Sequence, residues 1–167
     1  MLFMTYFNIA LRYGLEKFCK RAKEVGAYGL IIPDIPIDEE PSEHYLKTCR
    51  KYDLHAIQVI SPITPEHRLK KLSTVASGFV YCVARTGTTG TSKTIDNSLG
   101  QYLNKVKKHL KIPLALGFGI SSKKQVQNAL KQADIAVIGS KIMNLSQAEN
   151  QEELHQFLQS ILKTTFI

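Results

Sequence analysis

Two glycine-ended apolar segments are the part of this sequence whose residue types and spacing could bind an anion. The segments Leu114–Ser122 and Ala136–Ser140 each run from apolar residues into Gly and Ser, where a helical pattern begins. Such a run is typical of a buried parallel strand that turns into a helix. Glycine lets a ligand approach the backbone, and the first N–H groups of a helix attract anions. We therefore predict a two-sided phosphate site whose tips carry Gly117, Gly119, Gly139 and Ser140.

The alternative for these segments is two ordinary turns that need glycine for backbone geometry alone. Both turns follow consecutive strands near the end of a series of βα units. Barrels of this class often place a phosphate site after their last two strands. The pairing of the two turns therefore favours the phosphate site.

A single acid, Asp34, follows the second predicted strand and lies between Pro33 and Pro36. In parallel α/β folds function collects at the carboxyl ends of the strands, and Tyr6 and Asn8 follow the first strand in the same way. Asp34 could act as a general base, as a helix cap or as a contact to a partner. It does not form a catalytic pair, because no second acid of the rim accompanies it.

The polar loop Arg85–Lys93 follows the fourth predicted strand. It is too polar to pack in a core and too long for a minimal turn. Loops of this kind often close over a ligand and exclude water from it. We expect a lid here, and a plain surface connection is the alternative.

The cysteines and histidines show no metal-binding pattern. The three cysteines are odd in number and far apart, which excludes a disulfide framework and a Cys-x-x-Cys metal site. Each is expected to be a small apolar filler in a reducing compartment. The five histidines lie on predicted helices or at strand starts without ligand spacing. We therefore expect no metal site and a cytoplasmic protein.

The formal net charge of +8, from 22 Lys and Arg against 14 acids, suggests nucleic-acid binding as one hypothesis. The basic residues, however, are spread along helical segments where they alternate with apolar positions. No aromatic platform or binding motif accompanies them. Solvated outer helix faces explain this charge better, and the charge would also steer anionic metabolites toward the protein.

Strand and helix patterns alternate six times along the 167 residues, which we expect to form one domain over 1–167. Amphipathic spacing predicts a first helix with Leu15, Phe18, Cys19, Ala22 and Val25 on one face. It predicts a last helix, Gln151–Lys163, with Leu154, Phe157, Leu158, Ile161 and Leu162 inward. Thr64 is expected to cap the third helix, with Pro65 at its first position. The predicted strands are Leu2–Phe7, Gly29–Pro33, His55–Ile60, Gly78–Ala84, Pro113–Gly117 and Ile135–Ile138.

The alternation predicts parallel strands with right-handed crossovers. A doubly wound sheet has five or six strands, whereas a (β/α)₈ barrel needs eight and typically about 250 residues. The first predicted strand begins at the first residues, with no lead-in. We therefore predict the α/β class, as an incomplete (β/α)₈ TIM-type barrel of about six βα units.

With these residues in hand, the chain resembles the tryptophan synthase alpha subunit, from its third barrel strand onward. Single pieces such as Gly-Phe-Gly are weak signals, but the ordered set is strong. Ile9 departs from the family, which often has Pro after the preceding Asn. The matching segments are Thr5–Asn8, Gly29–Pro36, Ser77–Gly90, Gly117–Ser121 and Ile138–Ser140.

The resemblance implies a barrel enzyme that splits indole-3-glycerol phosphate into indole and glyceraldehyde 3-phosphate. It implies an α₂β₂ complex in which a beta subunit carries pyridoxal phosphate, and no cofactor in the alpha subunit. Asn8, Asp34 and Pro36 would face that partner. The substrate-binding residues would be Tyr6, Tyr81, Arg85, Thr89, Gly90, Gly119, Gly139 and Ser140.

Cleavage of the carbon–carbon bond requires an acid and a base. In the family these are a Glu and an Asp that would lie upstream of Met1, and no acid of this chain matches either. We therefore expect no catalytic residue in these 167 residues and no activity from the chain alone. The alternatives are another phosphate-binding barrel enzyme, such as a sugar-phosphate isomerase, and a non-catalytic remnant that only binds a beta subunit.

Overall fold

Strands and helices alternate through the part of the chain that the computed structural model describes. This part comprises residues 1–84, 92–117, 119–147 and 151–162, with the side chains of 92–97 excepted. The strands are β1 (Leu2–Met4), β2 (Gly29–Ile31), β3 (His55–Ile60), β4 (Val80–Val83), β5 (Leu114–Gly117) and β6 (Ile135–Ala136). The helices are α1 (Phe7–Tyr13), α2 (Leu15–Glu24), α3 (Glu40–Glu43), α4 (Tyr45–Lys51), α5 (Glu66–Ser73), α6 (Ser92–His109), α7 (Lys123–Leu130), α8 (Ser140–Gln147) and α9 (Gln151–Leu162). A 3₁₀ turn, Ile37–Glu39, precedes α3.

The six strands follow one another in the sheet in chain order, from β1 to β6. Each pair with a defined register is parallel: Leu2 lies opposite Gly29, Gly29 opposite His55, and Ala115 opposite Ile135. Parallel neighbours in chain order require a crossover after each strand, and the helices supply these crossovers. The six predicted strands are therefore confirmed, together with their parallel pairing.

Several predicted strands are shorter than the apolar pattern suggested. Phe7 was expected to end the first strand, but it begins α1 because its N–H is bound by a side chain from another loop. Gly78 was expected to begin the fourth strand, but its φ of 73° is incompatible with extended backbone. The sixth strand ends at Ala136, although the N–H of Val137 still donates to Leu116 across the sheet.

The chain divides into two units of dense internal contacts. The first is Met1–Tyr81 with Lys105–Pro113, and the second is Cys82–Asn104 with Leu114–Ile167. The core of the first unit forms between β2, β3 and the helices that cover them, and α2 contributes its predicted apolar face. Val25 was assigned to that face but is exposed, because the helix ends one residue earlier at Glu24. The main buried residues of this core are Ala10, Cys19, Ala22, Leu30, Tyr45, Leu46, Cys49 and Ala56.

The core of the second unit forms around β5, which is buried along most of its length. Leu114, Leu116 and Ile120 are almost fully buried, as are Val126 and Ala129 of α7, which packs against β6. These side chains fix the turn that follows β5, because Ile120 enters the core immediately after it. The strand therefore positions Gly117 and Gly119 of the predicted phosphate site.

Two sequence predictions about helices are wrong in detail. Thr64 does not cap α5: its hydroxyl accepts the N–H of Ser61 at 3.1 Å and closes a turn before the helix. The predicted inward face of α9 is only partly covered, and Leu158 and Leu162 are exposed. Within the described residues α9 packs against α7 and α8.

No helix among the described residues combines the length and apolar content that a membrane span requires.

Candidate functional site

The register of β5 and β6 brings the two glycine turns to the same edge of the sheet. Ala115 lies opposite Ile135, and Leu116 lies opposite Ala136. Gly119 follows the end of β5 by two residues, and Gly139 follows the end of β6 by three. Both glycines are exposed at the carboxyl ends of their strands. The structure therefore brings together the two turns that the sequence singled out.

The first turn reverses at Gly119, whose φ is 77°. This left-handed conformation is accessible to glycine at little cost and strained for residues with a Cβ. The next residue, Ile120, is only 2% exposed and anchors the turn in the core. The backbone at Gly119 is therefore exposed to solvent but fixed in place.

The second turn leads directly into α8. The carbonyl of Gly139 accepts the N–H groups of Ile142 and Met143 at 3.0 and 3.1 Å, so the helix starts on this residue. A Cβ added at Gly139 would meet no atom within 4 Å. The first N–H groups of a helix lack intrahelical partners and carry partial positive charge. Open space therefore coincides with the start of a helix at Gly139 and Ser140.

The start of α7 differs from the start of α8. Ser122 occupies its N-cap and accepts the N–H of Gln125, while the Gln125 side chain accepts the N–H of Ser121 at 2.8 Å. This arrangement has the spacing of a capping box and satisfies two backbone donors at the helix start. Both helix starts were predicted to be open to an anion, and at α7 side chains already accept two of the backbone N–H groups. Ser122 followed three residues later by Gln125 was the signal for this cap.

Two of the remaining predicted substrate residues, Tyr6 and Tyr81, belong to the first unit, and the others lie outside the described part of the chain. Arg85, Thr89 and Gly90 fall outside the described residues. Tyr81 is half-buried on β4, and its burial raises the pKa of the phenol. Tyr6 is 62% exposed and precedes the first residue of α1.

Asp34 caps helix α1 across the sheet. Its two carboxylate oxygens lie 2.9 and 3.1 Å from the backbone nitrogen of Phe7, the first residue of that helix. The parallel register of β1 and β2, with Met4 opposite Ile31, brings the two residues to the same level. Of the three roles left open by the sequence, the structure therefore demonstrates the helix cap. Asn8, on the first turn of α1, and Pro36, beyond Asp34, are both exposed.

A second acid of this loop, Asp38, was not identified from the sequence. Its carboxylate binds Arg68 at 2.7 Å and also Lys71, both on α5. The hydrogen bonds from these two cations lower the pKa of Asp38 to about 2. About 30 residues separate the partners, so no local pattern could have revealed the contact.

A cavity of about 150 Å³ lies beside the segment from Ile32 to Ile37 in the first unit. Glu40, one of its lining residues, accepts the N–H groups of Leu46 and Lys47 at 2.6 and 2.9 Å and thereby caps α4. Arg68, which also lines the cavity, is the residue that binds Asp38. Three acids between β2 and α4, namely Asp34, Asp38 and Glu40, are therefore engaged in contacts that hold the fold.

Within the residues that the structure describes, no three His, Cys, Asp or Glu side chains are grouped to hold a metal ion.

The parallel βα units, whose strands follow one another in chain order, define a protein of the (β/α) barrel class. The family model described as the tryptophan synthase alpha chain matches residues 1–165, and the chain belongs to this family. The resemblance noted in the sequence motifs is therefore confirmed.

Individual relatives support the same assignment. The tryptophan synthase alpha chain of Desulfotalea psychrophila is 41% identical over 160 residues, which is 96% of this chain and 62% of that protein. The alpha chain of Methanocaldococcus jannaschii is 41% identical over 144 residues, 86% of this chain and 50% of that protein. The present chain thus spans between half and two thirds of the length of these relatives.

Solved structures agree with the fold class. The tryptophan synthase alpha subunit of Campylobacter jejuni has a TM-score of 0.87 and 32% identity, over 96% of this chain and 64% of that chain. A tryptophan synthase structure from M. tuberculosis has a TM-score of 0.83 and 26% identity. The prediction of an incomplete TIM-type barrel of about six βα units is therefore confirmed.

Proposed function

We propose that this chain binds the phosphate of indole-3-glycerol phosphate, as part of an alpha subunit that splits this compound into indole and glyceraldehyde 3-phosphate. The open space at Gly139, at the start of α8, is the observation that carries the proposal. A phosphate ester in this space would accept the backbone N–H groups at the start of α8. The helix dipole and the net charge of +8 would favour the same anion.

Phosphate binding alone does not break a carbon–carbon bond. That step needs an acid and a base within hydrogen-bond reach of the reacting atoms. Asp34 and Asp38 are already bound to the start of α1 and to two cations of α5. We infer that neither is free for the reaction and that these 167 residues do not catalyse it without further catalytic groups.

A complex with a beta subunit that carries pyridoxal phosphate forms the second part of the proposal. Asn8, Asp34 and Pro36 would contact this partner. The cap at Phe7 supports this, because it fixes the segment that carries Asp34 and Pro36 to the first turn of α1, which carries Asn8. A fixed surface loses little conformational entropy when it binds.

The binding proposal is tested by titrating the purified chain with glyceraldehyde 3-phosphate and with glyceraldehyde in an isothermal calorimeter. We expect heat of binding from the phosphorylated compound alone. Equal binding of both compounds, or of neither, would contradict a phosphate site.

The catalytic inference is tested by adding indole-3-glycerol phosphate to the same chain and measuring indole. We expect no steady release. Release that is abolished by Asp34→Asn would show that Asp34 performs the chemistry.

The partner proposal is tested by co-sedimentation with a beta subunit. Pro36→Ala and Asn8→Ala should weaken this co-sedimentation, whereas Lys20→Ala, at an exposed position on α2, should not.

A further inference from the structure

The cavity of about 150 Å³ in the first unit is not used by the proposed phosphate site. It lies beside the segment from Ile32 to Ile37 that follows β2, and its lining residues all belong to Met1–Tyr81. The exposed lining residues, which leave one side of the cavity open to solvent, include Pro33, Asp34 and Pro36. The buried lining residues form an apolar and aromatic floor of Ile32, Tyr45, Leu46, Ile57 and Leu72.

The volume and the floor of this cavity define the size of a ligand. An apolar cavity of about 150 Å³ is large enough to hold a benzene ring. The Tyr45 hydroxyl donates to the Leu30 carbonyl at 3.4 Å, and this bond helps to hold the Tyr45 ring in the floor. Aromatic rings pack well against one another in edge-to-face or offset-stacked arrangements. The cavity therefore fits a single aromatic ring, whose burial supplies most of the binding free energy.

The charged side chains that line the cavity are already paired within the fold. Asp34 and Glu40 accept backbone N–H groups at the starts of α1 and α4. Arg68 binds the carboxylate of Asp38 at 2.7 Å. A charged ligand would lose its hydration here without gaining a free counter-charge. The lining therefore favours a neutral ligand.

The Gln58 side chain gives the cavity one open hydrogen-bond acceptor. Its amide N–H donates to the Ala56 carbonyl at 2.8 Å, and its amide oxygen accepts no hydrogen bond from the described residues. In that part of the chain no buried side-chain nitrogen or oxygen lacks a partner, so the Gln58 oxygen is accessible to solvent. Because Gln58 lines the cavity, a ligand with one N–H or O–H group can donate to this oxygen.

The walls of the cavity are fixed before any ligand arrives. Asp34 ties the segment after β2 to α1, Glu40 ties the following turn to α4, and Asp38 ties it to α5. A preformed site loses little conformational entropy on binding. The contacts that pair the charged groups therefore also prepare the cavity for a ligand.

We propose that this cavity is a binding site for a small neutral aromatic molecule with one hydrogen-bond donor, of the class of phenol. The ring lies on the apolar floor, and the hydroxyl donates to the amide oxygen of Gln58. This site is independent of the proposed phosphate site, since none of its lining residues belongs to the two glycine turns.

The test titrates the full chain at pH 7 with phenol, toluene and benzoate in a calorimeter. Phenol should bind several-fold more tightly than toluene, the ratio expected for one net hydrogen bond. Benzoate is charged and should bind at least tenfold more weakly than phenol. Equal binding of phenol and benzoate would indicate a cationic site, and equal binding of phenol and toluene would exclude Gln58 as the acceptor. Either result, or no binding of phenol, would overturn the proposal.

Two matched variants test the acceptor. Gln58→Met keeps the length of the side chain and should reduce phenol affinity to that of toluene. Its toluene affinity should stay close to that of the unmutated chain, which shows that the cavity is still formed. Gln156→Met also removes a side-chain hydrogen bond, to Glu152 at 2.8 Å on α9, and should leave both affinities unchanged. A phenol affinity that survives Gln58→Met would contradict the proposal.

The location of the site is tested on the unmutated chain. Phenol should shift the backbone amide resonances of the segment from Ile32 to Ile37 and of β3 in a nuclear magnetic resonance titration. It should also raise the midpoint of thermal unfolding with increasing concentration, because it binds the folded state. Resonance shifts confined to other elements would overturn the proposal, and this result does not depend on a variant that folds.

Discussion

The carboxylate of Asp34 accepts the backbone N–H of Phe7, with oxygen–nitrogen distances of 2.9 and 3.1 Å. The two residues are 27 positions apart, and the contact joins the segment after β2 to the first residue of α1. A carboxylate in this position performs the role of an N-cap, although it comes from a distant part of the chain. It satisfies one of the donors that a helix start leaves unpaired, and its negative charge suits that end of the helix.

Removal of the Asp34 side chain should destabilise the first unit. Loss of an N-cap costs about 0.5–2 kcal/mol, so Asp34→Ala should lower the free energy of unfolding by an amount in this range. Asp34→Asn keeps one oxygen acceptor and should lose less. Urea unfolding followed by circular dichroism measures both. An Asn variant as unstable as the Ala variant would indicate that charge, and not the hydrogen bond, holds the helix start.

Asp38 should make the stability of the protein depend on pH in the acid range. Arg68 and Lys71 hold its pKa at about 2 in the folded chain, below the 3.8 of an unperturbed aspartate. A lowered pKa means that the contribution of this carboxylate is present above about pH 4 and is lost as the pH falls toward 2. Asp38→Asn should therefore lower the urea midpoint at pH 7, and the difference from the unmutated chain should shrink between pH 4 and pH 2.

Glu39 offers a control for this experiment, because it is an exposed acid next to Asp38. Glu39→Gln should leave the difference in urea midpoint between pH 7 and pH 2 close to that of the unmutated chain. A difference for Asp38→Asn that stays constant over the acid range would show that the ion triad does not contribute.

Substitutions at Gly139 separate ligand binding from folding. Its backbone is not in the left-handed region and an added Cβ would meet no atom, so Gly139→Ala should fold normally. The new methyl group would occupy the space in front of α8 and weaken inorganic phosphate binding, measured by calorimetry, by about tenfold or more. This magnitude corresponds to about 1.5–3 kcal/mol for a hydrogen bond to a charged group.

Three further variants calibrate this result. Gly100→Ala, at an ordinary helical position of α6, should leave phosphate binding unchanged. Lys107→Ala and Lys108→Ala should also have little effect. An equal loss in the lysine variants would point to a basic surface patch and refute backbone binding.

A bulky β-branched residue at Gly119 should weaken phosphate binding strongly, but it should also destabilise the protein because φ there is 77°.

The exposed edge of β1 should cause self-association. This strand stands at one end of the strand order. Leu2 and Met4 on the strand and Met1 before it are exposed, and Met4 is 60% exposed. Apolar edge strands pair with other chains, and charged residues block such pairing. Met4→Lys should therefore shift sedimentation velocity profiles toward smaller species. Ile63→Lys removes an apolar residue of 90% exposure from a loop, away from any strand, and should not.

The alternation of strands and helices could be predicted from the sequence because continuous apolar runs mark strands that are buried on both faces. The sequence predicts β3 with its observed bounds, His55–Ile60, because turn residues flank the apolar run on both sides. The end of β1 could not be predicted, because Phe7 continues the apolar run. What makes Phe7 helical is a carboxylate 27 positions later, which periodicity does not detect.

Some features of the candidate site could likewise be predicted from the sequence, and others could not. Gly119 and Gly139 were identified because glycine at the end of a buried strand is a local signal. The engagement of Asp38 with α5 was missed, because it depends on which helices pack together and that is decided by the tertiary structure. The cap at the start of α7 was detectable, because Ser122 and Gln125 have the spacing of a capping box.

The cap at Phe7 also has a consequence for the order of folding events. Helix α1 has seven residues, too few for an isolated helix to persist in water. Its capping carboxylate reaches it only after β1 has docked beside β2 in the correct register, with Met4 opposite Ile31. A slip of one residue would present Asp34 to the wrong backbone nitrogen and leave the helix start unsatisfied. Formation of α1 is thus coupled to the alignment of β1 and β2. Asp34 stabilises the helix start only when these two strands pair in the correct register.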